Sequence, residues 1–421
     1  MVSVANRRWK WHPLALLVFA ASSFVALGSV GATSERDPVS QLNDSLNSGN
    51  LPLNFEPKQG YLAGILKSLD IDPDSQVLVF SKSSMQSSHI GIDNPRAIYF
   101  NDETYVGWIP GAPLIEVMSV DPKNGAVFYT IPTEMSAKPS FKRESGECSP
   151  CHGGRAGVQA PGLIARSSHV APSGYPRVFG RTFSVHSRSP IKQRWGGWYV
   201  TGTHGSERHM GNEPSLGTDN EHSIDMEKGS NVTDLSKYFD TSKYLSPHSD
   251  IVALMVLEHQ MDVQNELSNF ALRATGVLAR EKSDDAARPE LDRIAAPLVE
   301  TLLCSGEPKF TSPIQGTSPF AAQYSKRSPQ DKRNRSLSQL DLTQRLFKYP
   351  CSPLVYSRSF NALPVQAKAV VFRAMTKVLK GSESNPLYSH LTADDKKAVY
   401  EILTDTHPAF AEFAGTPTQG D

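Results

Sequence analysis

The chain has no excess of charge of either sign: 43 lysines and arginines offset 43 aspartates and glutamates. With no basic surplus, neither nucleic acid nor an anionic membrane surface is expected as a partner. Long apolar runs are also lacking, apart from Leu14 to Leu27, which is short for a membrane span. No internal repeat marks a solenoid or propeller. Thirty prolines and 29 glycines imply many loops without low complexity. Cysteine is scarce, and two of the four stand together.

Those two lie in Glu147-Cys148-Ser149-Pro150-Cys151-His152-Gly153-Gly154. C-x-x-C-H is the attachment pattern of c-type haem. Thiols three positions apart can each bond one porphyrin vinyl group, and the adjacent imidazole then sits under the iron as proximal ligand. The bare C-x-x-C also serves redox dithiols and half zinc sites. A redox dithiol calls for a βαβ context, which is not visible around it. A structural zinc site calls for a second ligand pair at short range, yet the next cysteine is Cys304.

The amino terminus agrees with haem attachment. Arg7, Arg8 and Lys10 form a basic region, Leu14 to Leu27 an apolar one, and Val30-Gly31-Ala32 a small-residue cleavage site. Residues 1–32 are read as a signal peptide, with an uncleaved anchor as the alternative. Bacterial c-type haem is attached outside the cytoplasmic membrane, so a periplasmic location follows, with no stable membrane insertion after cleavage. In an oxidising compartment the remaining pair, Cys304 and Cys351, is expected to form a disulfide.

The rest reads as an α+β fold with a β-rich amino-terminal part, a central irregular haem-binding segment and a helical carboxy-terminal part. Residues 33–57 form a polar leader, 58–145 a β-rich domain, 146–248 the haem-binding region and 249–421 the helical region. Strands are expected at Val77 to Phe80, Arg96 to Phe100 and Thr104 to Trp108. A hairpin joins Leu114 to Val120 with Ala126 to Ile131, and Trp198 to Thr203 reads as a further strand. Helices are expected from Ser249 or Asp250, from Pro289 to Cys304, Ser336 to Phe347, Val365 to Leu379 and Thr392 to Leu403, with capping-box spacing at Ser336–Gln339 and at Thr392–Asp395.

Residues 153–190 carry little periodicity, and after the haem pattern they read as a loop over its edge. Arg155, Arg166, Arg181 and Arg194 are the candidates to pair with the propionates. For the sixth ligand the candidates are His259, His209 and Met210, with His204 and His186 behind them. His259 shares a helical stripe with Val252, Val256, Val263 and Phe270; the alternative for it is a hydrogen-bonded core histidine.

Four stretches, ECSPCHGG, RWGGWYVTGTHGSERHMGN, VLEHQ and DLTQRLFKYPCSPLVYS, are together similar to a group of exported cytochrome-c-like bacterial proteins of no established reaction. The resemblance implies one covalent haem c and export, and it assigns no catalytic residue. The expected function is a monohaem c-type cytochrome exchanging electrons with a periplasmic redox partner protein. The alternatives are a haem enzyme or gas sensor of peroxidase type with an open distal face, and a binding protein stapled by haem.

Overall fold

A computed structural model describes residues 36–146, 148–154, 159–217 and 223–415. The expected signal peptide lies outside these residues. Among the described residues no helix is long and apolar enough to cross a membrane.

The segment expected as a loose leader opens with α1 (Pro38–Asn47). Asp37 caps it by accepting from Ser40 N, Pro38 pre-sets the first turn, and Val39 and Leu42 bury one turn apart. Composition alone hid that short amphipathic pattern. After α2 (Leu62–Ser68) come β1 (Val77–Val79), β2 (Arg96–Phe100), β3 (Thr104–Trp108), β4 (Leu114–Asp121), β5 (Gly125–Pro132) and β6 (Lys142–Glu144). The expected hairpin is β4–β5, paired from Leu114 with Pro132 to Asp121 with Gly125. Its turn is held by Asp121, whose carboxylate accepts from Lys123 N and Asn124 N, and Gly125 takes φ 74°.

The chain then forms α3 (Ser149–His152), β7 (Ala165–Ser168), β8 (Thr182–Val185), β9 (Trp198–Tyr199) and β10 (Gly202–Thr203). The strand expected at 198–203 is therefore split: β9 joins the main sheet beside β1, whereas β10 pairs with β11 (Gln315–Gly316). The main sheet is antiparallel with order β6-β5-β4-β3-β2-β1-β9. Period-2 alternation divides its faces. Leu78, Tyr99, Val106, Ile115 and Tyr129 pack with α1 and α2, while Val79, Phe100, Tyr105 and Val120 face the opposite side.

On that opposite side lies α4 (Ile251–Arg280), capped by Asp250, whose side chain accepts from Val252 N and Ala253 N. Every residue from Ile251 to Met261 is buried, the behaviour of a helix enclosed on all sides. Its second half joins α5 (Asp284–Leu302), α8 (Val365–Leu379), α9 (Ala393–Thr406) and α10 (Pro408–Gly415) in a helical core, with α6 (Phe320–Tyr324) and α7 (Arg358–Asn361) as short connections. The capping box of Thr392 and Asp395 is present. The helix expected at Ser336 to Phe347 is absent. Asp341 accepts from Thr343 N and Gln344 N, Leu342 takes φ 61°, and Leu340 bridges back to Phe347. That local side-chain turn outcompetes a helix.

Candidate functional site

The thiol pair sits on a single helical turn. Cys148 O accepts from Cys151 N at 3.2 Å and from His152 N at 2.9 Å. Positions three apart share a face, so this turn sets both thiols on one side. Cys148 is half-buried and Cys151 exposed.

His152 is clamped to the loop that follows. Gly162 N donates to His152 O at 3.0 Å, and Nδ1 of the ring lies 3.0 Å from Gly162 O. A carbonyl can only accept, so Nδ1 carries the proton and Nε2 keeps its lone pair. Burial pushes the imidazole below its ordinary value, and the Arg96 and Arg166 cations push the same way against the Gly162 bond. The result is a neutral ring with one free donor nitrogen, the form that binds metal. Phe128 packs on it with ring centroids 4.9 Å apart.

The loop itself is held by α4. Asn265 accepts from Leu163 N at 2.8 Å and donates to Leu163 O at 3.0 Å; Asn269 accepts from Ala160 N at 3.0 Å. A Cβ on Gly162 would lie 2.8 Å from the Asn265 side-chain oxygen, so this approach needs glycine. Nothing in the spacing of Asn265 and Asn269 along the helix marks them in the sequence.

Cys148, Cys151 and His152 line a cavity of about 370 Å³ against the outer half of the sheet. Its floor is the cross-strand row Ile98–Gly107–Glu116–Thr130, with Met118 and Phe128 beside it. Its walls are Ile164 to Arg166, Trp198, and Leu257 and Met261 of α4. Arg96 bonds Glu116 at 3.0 Å inside it, and Nε of Arg96 is buried without a partner. This volume suits a cofactor-sized ligand. A second depression, of about 550 Å³ beside α1, has no thiol, imidazole or thioether among its lining residues.

No known protein family, curated protein or solved structure matches the chain. The site therefore stands on its own geometry.

Of the expected arginines among the described residues, only Arg166 lines the cavity, exposed at its rim. Arg155 lies outside the described residues. Arg181 is exposed away from the cavity lining, its backbone N–H donating to His169 Nδ1. Arg194 is buried and committed elsewhere: it pairs with Glu258 at 2.7 Å and donates to Ser187 O and Ser189 O. Arg96, which does face the cavity, was read only as the start of a strand.

None of the expected sixth ligands reaches the cavity. Leu257 and Met261 present one face of α4 to it, and His259 lies roughly 200° round the helix from each. There it is fully buried, with Nδ1 2.7 Å from a Glu307 oxygen and Phe347 edge-on at 4.7 Å. His209 is buried between Trp195 and His204 at 5.1 and 4.8 Å, and burial pushes it down to about 3. Met210 is buried with its sulfur accepting from Ser167 Oγ. His204 donates from Nδ1 to Glu207 O and accepts at Nε2 from Asn231 N. The soft donors that do line the cavity are Met85, Met118 and Met261. Cys304 and Cys351 are both buried and stand as separate thiols, so the expected bridge is not formed. Cys304 lies instead with His259 and Glu307.

Proposed function

We propose that the chain is an exported monohaem c-type cytochrome that exchanges electrons with a redox partner protein in the periplasm. One observation carries this reading: His152 is fixed as a neutral donor by Gly162, beside two thiols presented together on the wall of a cofactor-sized cavity. Attachment adds each thiol across one vinyl group, forming a C–S bond and moving the thiol proton to the neighbouring vinyl carbon. Nothing leaves, so the step balances with reduced thiols. Cys148 and Cys151 would then hold haem c covalently and His152 would supply its proximal ligand. Bound there, the group supplies a one-electron centre.

The surroundings suit electron exchange. Cys151 is exposed, so the attached edge would lie at the surface where a partner can approach. Trp198, Phe128 and Leu257 give an apolar lining, while Arg96 and Arg166 offer cations for the carboxylates of the porphyrin. The resemblance to exported cytochrome-c-like proteins agrees with this reading. For the sixth position the cavity offers methionine and, among its lining residues, no histidine other than His152. Methionine with histidine gives a closed, higher-potential electron-transfer site.

Expression with the haem-attachment machinery tests the proposal. The purified protein should keep its colour through denaturation and acid-acetone extraction, and Cys148→Ala with Cys151→Ala should abolish this entirely. Complete extraction of haem from the wild type overturns the reading. Carbon monoxide then separates a closed face from an open one. The wild type should resist it, and one of Met85→Leu, Met118→Leu or Met261→Leu should become ligand-binding. Ready binding by the wild type favours a haem enzyme or sensor.

A further inference from the structure

On the far side of α4 from the cavity, the chain gathers a second donor set. His259 comes from the helix. Cys304 and Glu307 come from the turn that ends α5, where Cys304 takes φ 56° and Gly306 φ 78°. One donor atom of each residue lies within 4.8 Å of the other two. Glu307 accepts from, or shares a proton with, His259 Nδ1 at 2.7 Å. The ring nitrogen that faces Glu307 is Nδ1, so an ion held by both would take the place of this proton.

We propose that His259, Cys304 and Glu307 form a buried binding site for one zinc-type divalent ion, separate from the haem cavity. Thiolate, imidazole and carboxylate are the donors zinc takes, and three protein ligands leave its fourth position to water. Charge supports the assignment. A 2+ ion with one thiolate and one carboxylate is neutral, which is what a closed interior tolerates. The ligand form of cysteine is the thiolate, so binding releases the Cys304 proton. Tetrahedral coordination needs the donors roughly 3.5 Å apart, so the donor atoms would draw together on binding. Glu307 is the partly exposed member and gives the ion a way in.

The test uses the exported, haem-loaded full chain, treated with a chelator, given excess zinc chloride and desalted. Elemental analysis should find one zinc beside one iron. Cys304→Ser should lose the zinc and keep the iron, whereas Cys351→Ser should keep both. Glu307→Gln, the change least able to disturb folding, should weaken zinc binding about tenfold or more in a chelator competition. Zinc no higher than in a chelated control overturns the proposal. So does zinc that survives Cys304→Ser or Glu307→Gln undiminished, or a Cys304–Cys351 disulfide found by alkylation mapping. The iron content reports haem loading independently, so failure of this site and failure of the cytochrome reading are distinguishable.

Discussion

The two sides of α4 treat polar groups in opposite ways. Toward the sheet, Leu257 and Met261 border an open cavity in which one histidine nitrogen is left available. The Arg96–Glu116 pair there is partly solvated, although Arg96 Nε is buried without a partner. Behind the helix, and around Arg194 and His209, the interior is sealed. Arg194 is locked to Glu258 there, and His209 and His259 each keep a buried Nε2 without a partner. Polar groups in the open region are free to meet a ligand at little cost. Those in the sealed region either satisfy one another or weaken the fold, and this asymmetry is measurable.

The largest effect is expected at the pair that closes the sealed side. Arg194 and Glu258 are 4% and 3% exposed, and burial pushes the Glu258 carboxyl up to about 7 against the pull of Arg194. Truncating Arg194 therefore leaves a buried acid and two buried carbonyls, of Ser187 and Ser189, without their donor. Arg194→Ala should cost about 3–5 kcal/mol, read as a lower urea midpoint. Replacing both with methionine should recover most of that loss, because an apolar pair of similar size removes both charges together. A double variant as unstable as Arg194→Ala would show that the pair organises the 187–194 loop rather than merely neutralising itself.

A smaller effect follows from His209. Burial, with His204 and Arg208 adding to it, lowers the folded imidazole to about 3, against about 6.5 when unfolded. Between those values the unfolded chain binds the proton and the folded chain does not. Stability from this group is thus fully present above about pH 6.5 and falls as pH drops toward 3. Between pH 6.5 and 5 the loss should be about 2 kcal/mol or less, and His209→Gln should flatten the profile there. A variant as pH-sensitive as the wild type would place the dependence on other groups.

Much of the sheet was legible because its signals are local. Alternation along 96–108 and the Asp121-to-Gly125 turn need no tertiary information. The helix from Asp250 was legible for the same reason, since its cap and apolar spacing lie within one segment. Which face of that helix meets which partner was not. His259 shares its stripe with valines, but the stripe faces Phe347 and Glu307, and no pattern in residues 249–270 says so. Arg194 reads as a candidate for a propionate, whereas Glu258, 64 residues away, holds it. The C-x-x-C-H turn was readable because its chemistry lies in five consecutive residues. The support of the following loop by Asn265 and Asn269 was not, because it comes from a helix roughly a hundred residues away.

The smallest effect lies on the open side, at Gly107 in the cavity floor. Its neighbours across the sheet are Ile98 and Glu116, so the missing side chain leaves space where the two adjacent rows are filled. A Cβ there would meet Arg96 Cδ at 3.6 Å and Glu116 Cβ at 3.7 Å, ordinary contact distances. Alanine in a strand loses less backbone freedom on folding than glycine, so Gly107→Ala should stabilise the fold by about 0.5 kcal/mol and leave haem loading intact. Gly107→Leu should also fold, because its side chain enters the cavity rather than the core, yet it should lower the ratio of covalent haem to protein. Urea midpoints and haem-to-protein ratios of the two variants check this. Wild-type loading in Gly107→Leu would mean that the haem does not occupy the floor of this cavity, and would break the distinction between the open and sealed sides of α4.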